Sequence, residues 1–571
     1  IIGVNIVPDL AAFYNYTYGL DFYPVSKEDY DGFYASNYAN LGVFKRGNWT
    51  VAMKGLTSYL FGTEIYPEQN RYGRYQSYGA LEVLYNGTLE DSGYILNGDG
   101  WNWNYMPGTT TVVLPFNKLQ AGNSRADEYQ VLDFAGSLSL GRNGIFGLDF
   151  QQRNSTFYTT SNLKFKKSVF AFDNILICLG SDISVTNNQG SVVSTLFQTV
   201  NTTATPEMYV NSITPRTGTF ASSYTLSTSS RWLTNSQGTG FYLAQGNNDY
   251  RIELGTQTTP DYTSLTGAET NTANFTRAYL VHGNQPTTSA PAKYEYVVAP
   301  GVTPDAMKTL AETLQTGSVY TVLNQNSDYH AIKYIPDNTT AYVFFKALPE
   351  VNVGLLKSIS NQSIVSIKEY DFDKVLVTIN NPNLNPVFNN ISGFISNAQL
   401  TNLVLNGNYS IISNPNNATI NAQANILTVG FTLKDGFSAS ILLQKNVVTP
   451  ISSLEFKGSY QPNGIQLNWE STAEKDVSHF ILYRRDDGTN FTKITSINAV
   501  GNTLTKTNYN YLDLNFSNTT ALLYYKIQSI DTNGRISLEK VTTVKLPLVD
   551  HPLSFYPNPV THVLNISLTA Q

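Results

Sequence analysis

Along most of the chain, apolar and aromatic residues recur at every second position, in short runs broken by glycine, asparagine and aspartate. RYQSYGALEVLYNG (74–87), SVFAFDNILICLGSDI (168–183) and KYEYVVAPG (293–301) carry the pattern most clearly. A period of two puts successive side chains on opposite faces, and the Gly/Asn/Asp punctuation supplies turns, so these segments predict antiparallel strands. One stretch has a different period. In TPDAMKTLAETLQTG (303–317), Thr303 stands at an N-cap and Pro304 at the first helical position. Met307, Leu310, Ala311 and Leu314 share a face, and Gly317 terminates, which predicts a helix packed on a sheet. SKEDYDGFYASNYANLG (26–42) has room for a short helix before the first strand. The fold class expected is all-β.

Near Thr449–Pro450 the pattern shifts. LEFKGSYQPNGIQLNWESTAEKDVSHFILYRRDDGTNFTKI alternates in short strands, and YYKIQSIDTNG follows. Trp469 on an early strand, Tyr483 on the next and Tyr524–Tyr525 near the end resemble a fibronectin type III sandwich, in which a tryptophan fills the core and a late tyrosine pins a corner. All four aromatics are expected in the core.

Composition narrows the class of partner. Charged residues make up only 14% of the 571 and aromatics 13%, with 38 tyrosines, so Asn, Thr, Ser, Tyr and Gln must build much of the surface. That profile suits an extracellular, glycan-handling protein. A net charge of -6 and the lack of any Lys/Arg block interleaved with aromatics exclude nucleic acid as the expected partner. A polyanion would have to be met by local basic residues. The single cysteine, Cys178, excludes an intrachain disulfide framework and reads as a buried apolar residue. No run of about 18 apolar residues predicts a membrane-spanning helix. The opening residues lack the features of a signal peptide, so the chain is expected to begin inside a longer protein. The five histidines, His282, His330, His479, His551 and His562, have no metal-ligand spacing, and no G-x-S-x-G or Walker motif supports hydrolase or nucleotide chemistry. His282 reads as a core or turn histidine, and Lys166 and Lys167 as solvated strand residues.

Several motifs in register carry a sharper resemblance. EQNRYGRYQSYGALEVLYNG (68–87), WNWNYMPGTTT (101–111), FKKSVFAFDNILICLGSDI (165–183), STLFQTV (194–200), GTGFYL (238–243) and YEYVVAPG resemble, in order and spacing, the β-sandwich part of polysaccharide lyase family 8. The tryptophan–asparagine run and the KKSV…DN…LGS block look most like its chondroitin sulfate ABC lyase branch. The resemblance implies a large antiparallel supersandwich followed by a smaller C-terminal β-sandwich. It also implies an upstream helical toroid, absent from this sequence, that carries the catalytic tyrosine with histidine, asparagine and arginine partners. LSFYPNPVTHVLNISL (553–568) resembles the start of the type IX secretion sorting domain of Bacteroidetes, which implies export through the outer membrane to the cell surface or medium. The expected organisation is a linker from the toroid (1–42), the central supersandwich (43–320), the C-terminal lyase sandwich (321–448), the fibronectin-like module (449–548) and the truncated sorting domain (549–571).

The activity implied is β-elimination at a uronic acid, in which the C5 proton is abstracted and the C4 oxygen leaves. A carboxylate leaves that proton very weakly acidic, so its charge must be neutralised and a tyrosine held near arginine must serve as base and then acid. No cofactor is required. The implied substrate is a glycosaminoglycan, chondroitin or dermatan sulfate, with hyaluronan as a further candidate; a noncatalytic carbohydrate-binding or structural role, and a xanthan lyase-like enzyme, are the alternatives. In the family the sandwich contributes a glutamate six residues before the motif asparagine, which orients the basic and tyrosine groups. Counting back from Asn70 gives Glu64, with Glu68 as the fallback and Pro67 where the family often has asparagine. Arg71 and Arg74 are candidates for bidentate contact with sulfate or carboxylate, or for pairing with a nearby acid. Trp101 and Trp103, two apart on an extended segment, would present one apolar platform to a sugar ring or to the absent domain. Some family members hold calcium through carboxylates at positions that here are Asn102 and Asn104; two neutral amides suit a hard cation poorly, so loss of that site is expected.

Overall fold

The computed structural model describes residues 31–95, 98–120, 125–154, 160–201, 207–226, 229–247, 249–262, 269–370, 373–389, 393–446, 453–486, 490–503, 505–517, 520–532, 534, 536–547, 554–556 and 565–567. Strands dominate, and all named strand pairs are antiparallel, as the alternating pattern predicts. The chain divides into two compact units, Ile1–Asn446 and Val447–Gln571.

The first unit is organised around an eight-stranded sheet. Its order is Tyr209–Val210, Arg231–Thr234, Gly240–Leu243, Ala292–Ala299, Ile175–Ser184, Lys164–Phe172, Asn143–Gln151 and Ala135–Leu140. One face packs on a five-stranded sheet that includes Val192–Val200 and Thr270–Val281, and on a four-stranded sheet that includes Trp49–Lys54 and Ala80–Tyr85. The other face meets the helix Pro304–Gln315 and a seven-stranded sheet that starts at Tyr320–Gln325. Both faces are therefore buried. Val169, Ala171, Leu176 and Cys178 enter one core, while Phe170, Phe172, Ile177 and Leu179 enter the other. This accounts for the nearly unbroken apolar runs SVFAF and ILICL, which are denser than a half-solvated sheet needs.

The helix forms as its caps predict. Thr303 Oγ1 accepts a hydrogen bond from Ala306 N at 3.2 Å, and Met307, Ala311 and Leu314 are buried. A Cβ on Gly240 would lie 2.3 Å from Met307 Sδ, so glycine there lets the helix approach the sheet closely. Beyond the helix, the seven-stranded sheet faces a four-stranded sheet of Leu356–Ile359, Gln399–Asn406, Ile426–Leu433 and Thr419–Gln423 over a third core.

Three local expectations are corrected. The sheet begins inside the segment read as linker: Gly32–Ser36 pairs with Leu41–Arg46, because Phe33 turns into the core, and Asn37–Ala39 forms a 3-10 turn between the two strands. The short helix expected before the first strand falls on 26–30, outside the described residues. The rest of that linker, residues 1–30, lies outside the described residues. Lys166 and Lys167 are not solvated. Because the sheet is covered on both sides, alternation drives both lysines inward. Lys166 pairs with Asp149, and Lys167 is fully enclosed, donating to the carbonyls of Gly79 and Gly108. His282, read as a core or turn histidine, is buried as expected, with Nε2 against Ser194 Oγ at 2.8 Å, and burial pushes its pKa down to about 3.

In the second unit, three strands (Leu454–Gln461, Gly464–Ser471, Thr507–Asp513) and four strands (Thr492–Asn498, Val477–Arg485, Leu522–Asp531, Ile536–Lys545) enclose one core. Trp469 fills it, stacked on Tyr509 at 5.5 Å and edge-on to Phe480 at 5.7 Å. Tyr525 is buried and its hydroxyl donates to Asp513 Oδ2 at 2.8 Å, an oxygen also held by Arg484 at 2.8 Å. Tyr483 and Tyr524 lie outside the core, contrary to expectation, since Leu482 and Tyr525 take the inward register; Lys526 and Arg485 sit over their rings. Of the YPNP segment, 557–564 lies outside the described residues, and Ser554–Tyr556 pairs with Asn565–Ser567. Among the described residues no helix is long and apolar enough to cross a membrane.

Lys167 yields a prediction. Burial pushes its ammonium down to about 8 from 10.5. Between those values the unfolded chain holds a proton that the folded chain has released, so this residue's contribution to stability rises with pH over that window and is lost as pH falls through about 8. Measured by denaturant unfolding, wild-type stability relative to Lys167→Met will increase by about 1–3 kcal/mol from roughly pH 8 to pH 10.

Candidate functional site

The segment that carries the motif starts on a two-stranded ribbon. Thr63–Ile65 pairs with Ala126–Glu128, placing Glu64 opposite Asp127. Ile65 and Ala126 turn inward, so Glu64 turns out, with its side chain 34% accessible. Arg125 Nη2 reaches Glu64 Oε1 at 2.5 Å and Asp127 Oδ1 at 3.2 Å. The carboxylate thus already accepts a guanidinium at the rim.

The six-residue spacing between Glu64 and Asn70 has a physical basis. Asn70 Nδ2 donates to the Glu64 carbonyl at 3.0 Å, and its Oδ1 accepts from Tyr66 N at 2.8 Å. Between them Gln69 N donates to Tyr66 O at 3.2 Å, closing a turn with Pro67 at its second position, where its fixed φ suits the chain. Asparagine at 70 therefore sets the loop, and Pro67 fits within it. Glu68 sits exposed on the turn.

Arg71 and Arg74 do not face a cleft, and the reading of both as substrate contacts is corrected. Both are buried. Arg71 Nε donates to Pro67 O at 3.1 Å, bracing the loop from behind. Arg74 lies within the core, its guanidinium over the Tyr75 ring at 4.9 Å and donating to the Tyr75 hydroxyl at 3.2 Å. The segment RYGRYQSYG folds inward because its tyrosines are core residues: Tyr72 meets Phe116, Tyr75 meets Tyr78, and Tyr78 meets Phe150. Tyr78 donates to Glu128, whose carboxyl burial pushes up to about 7 despite the opposing charge of Arg74.

Trp101 and Trp103 are also largely buried, at 5% and 9% exposure. They occupy a turn and not an extended strand, yet both line one cavity of about 190 Å³, with Gln76, Glu82, Tyr94 and Tyr262. Trp101 packs edge-on against Phe275 at 5.8 Å, and its Nε1 points to Met106 Sδ at 3.3 Å. At that exposure neither ring forms an open platform for a sugar. Glu82 faces this space, and burial raises its pKa. Asn70 Nδ2 lies 3.4 Å from Gln76 Oε1, so the Glu64 loop and the cavity are neighbours.

The asparagines of WNWNYMPGTTT hold its backbone. Asn104 Oδ1 accepts from Leu114 N at 2.8 Å and Nδ2 donates to Leu114 O at 2.9 Å. Gln198 brackets Asn102 in the same way, accepting from its N–H at 3.2 Å and donating to its carbonyl at 3.1 Å. Among the described residues no three His, Cys, Asp or Glu gather as metal ligands. The turn that follows demands glycine: Gly108 has φ +76°, and a Cβ there would lie 2.3 Å from Leu81 N.

Sequence reasoning missed Arg125, Asp127, Glu128 and Glu82. A signal existed in SRADE (124–128), a knot of charge in a chain where charge is sparse.

Residues 29–311 match polysaccharide lyase family 8, super-sandwich domain. The chain is 29% identical over 357 residues to chondroitin sulfate ABC endolyase of Proteus vulgaris, covering 62% of this chain and 34% of that protein. It is 26% identical over 462 residues to chondroitin sulfate ABC exolyase of Bacteroides thetaiotaomicron, covering 74% and 42%. The chain thus spans between a third and a half of the length of these relatives. Its fold is similar to that of a Paenibacillus xanthan lyase, with TM-score 0.59 at 17% identity over 91% of this chain and 52% of the other.

Asn104 gives a test of the corner. Asn104→Ala removes two buried backbone hydrogen bonds and will cost about 2–3 kcal/mol, read as a lowered midpoint of unfolding. Asn104→Asp will also destabilise, since a carboxylate cannot donate to Leu114 O. The Glu64 ribbon, the inward RYGRYQSYG segment and this corner all lie within residues 29–311, the stretch that matches the super-sandwich domain of polysaccharide lyase family 8.

Proposed function

We propose that this chain is the sandwich portion of a secreted lyase that cleaves uronic-acid-containing glycosaminoglycans, chondroitin or dermatan sulfate foremost, by β-elimination. The observation that carries this is Glu64: an outward carboxylate on an asparagine-pinned loop, already engaged with a guanidinium, within a lyase super-sandwich domain. Similarity to two chondroitin sulfate ABC lyases supports the substrate class.

In this reading Glu64 touches no substrate bond. It accepts hydrogen bonds from basic groups supplied by an upstream helical toroid and so holds them toward the uronate, where an arginine or asparagine neutralises the carboxylate and a tyrosine removes the C5 proton. That proton returns to the departing C4 oxygen, leaving a C4–C5 double bond in the new non-reducing end. The residues of this chain need supply only position and charge. The second unit is proposed to be a fibronectin type III-like spacer, on the strength of its three-and-four-stranded sandwich with Trp469 in the core and Tyr525 on Asp513. The YPNP segment is proposed to direct type IX export.

The test follows formation of the unsaturated uronate by its ultraviolet absorbance, with chondroitin sulfate as substrate and the full-length protein as enzyme. Glu64→Gln will lower kcat by about 10²-fold with little change in KM, because it weakens positioning and not ground-state binding. Glu68→Gln will leave both unchanged. Xanthan cleaved in preference to chondroitin sulfate would reassign the substrate, and no unsaturated product from any uronate polymer would overturn the lyase reading.

A further inference from the structure

A groove of the first unit, beside the strand Gly32–Ser36, lies apart from the residues of the candidate site. It has a volume of about 660 Å³, within the range of about 300–1,000 Å³ usual for small-molecule sites, and shares no lining residue with the tryptophan cavity. We propose that it binds a neutral oligosaccharide.

Three aromatic rings stand at its rim. Tyr34 is 49% exposed, Tyr38 50% and Phe437 73%. Such exposure of a phenylalanine is costly in apolar area left in water, and here it is fixed by the backbone. Asp435 and Gly436 both have positive φ, +59° and +66°, a tight turn that delivers Phe437 outward. Tyr38 is held in place by stacking on Phe394 at 5.8 Å and 12° and by its hydroxyl, which donates to Asp435 Oδ1 at 2.7 Å. Pre-positioned rings beside a carboxylate suit the two faces of a pyranose: C–H groups against the rings and hydroxyls toward the acceptor.

The floor is built from amides. Asn37 Nδ2 donates to Ser137 O at 3.0 Å and Gly436 O at 2.7 Å, and Asn380 Nδ2 donates to the same two carbonyls at 2.8 and 2.9 Å. Asn380 Oδ1 is buried without a partner. A doubly pinned amide floor is rigid, which lowers the entropic cost of capturing a weak, hydroxyl-rich ligand.

Charge decides the class of ligand. The lining contains one ionisable carboxylate, Asp435, and neither lysine nor arginine. A sulfated or uronate polymer would meet that carboxylate with no lysine or arginine in the lining to offset it, so the proposed occupant is neutral. This site would hold the protein on a neutral glycan, independently of the proposed lyase activity.

The experiment uses the full-length protein and isothermal titration with xylohexaose, cellohexaose and mannohexaose. At least one will bind, with affinity unchanged on raising the salt. Phe437→Ala will weaken that binding at least about tenfold, and Asp435→Asn will weaken it less. Because Phe437 is mostly solvent-exposed, its truncation leaves the fold intact, checked by an unchanged unfolding midpoint. Failure of all three sugars to bind, binding indifferent to Phe437→Ala, or tighter and salt-sensitive binding of a chondroitin sulfate hexasaccharide at this groove would overturn the proposal. So would a dimer in sedimentation that Phe437→Ala dissociates, since the face would then be an interface between copies.

Discussion

An ammonium group with no access to water sits where three parts of the super-sandwich meet. Lys167 donates to the carbonyls of Gly79 and Gly108, one at the end of the RYGRYQSYG segment and one in the Met-Pro-Gly turn. Both glycines have positive φ, which aims their carbonyls inward toward that single donor. Leu81 N donates to Pro107 O at 2.9 Å and Gly108 N to Thr195 O at 2.9 Å, so the same point ties the four-stranded sheet to the five-stranded one. Removing the side-chain nitrogen would leave two buried carbonyls unpaired, and the loop with Glu64 and the tryptophan corner would lose their common reference.

The sequence pattern was enough to read antiparallel strands, the helix Pro304–Gln315 and its N-terminal cap, because each depends on local chemistry. It could not reveal that the eight-stranded sheet is covered on both faces, since that requires a helix and a further sheet to arrive from distant sequence. The dense runs SVFAF and ILICL were the available sign. Missing it turned Lys166 and Lys167 into surface residues, when the covered sheet encloses one and pairs the other with Asp149. The same limit applied to Tyr483 and Tyr524, whose face depends on which register the core selects.

At the candidate site, the spacing from Glu64 to Asn70 was legible because one side chain bonds across it. The arginines were misread for an instructive reason. Arg71 and Arg74 look like polar residues in a loop, but the tyrosines interleaved with them carry the segment into the core, and the guanidiniums follow as bracing groups. Arg125, which does meet Glu64, lies some sixty residues downstream and becomes its neighbour only through pairing of two three-residue strands. No local rule links them.

The amide of Asn104 has a wider meaning. Paired through donor and acceptor to Leu114, it closes the corner with a group that does not ionise. Acidity therefore reaches this corner only by way of the buried ammonium that holds the Gly108 carbonyl, so the stretch is fastened by one clasp that ignores protons and one that answers to them.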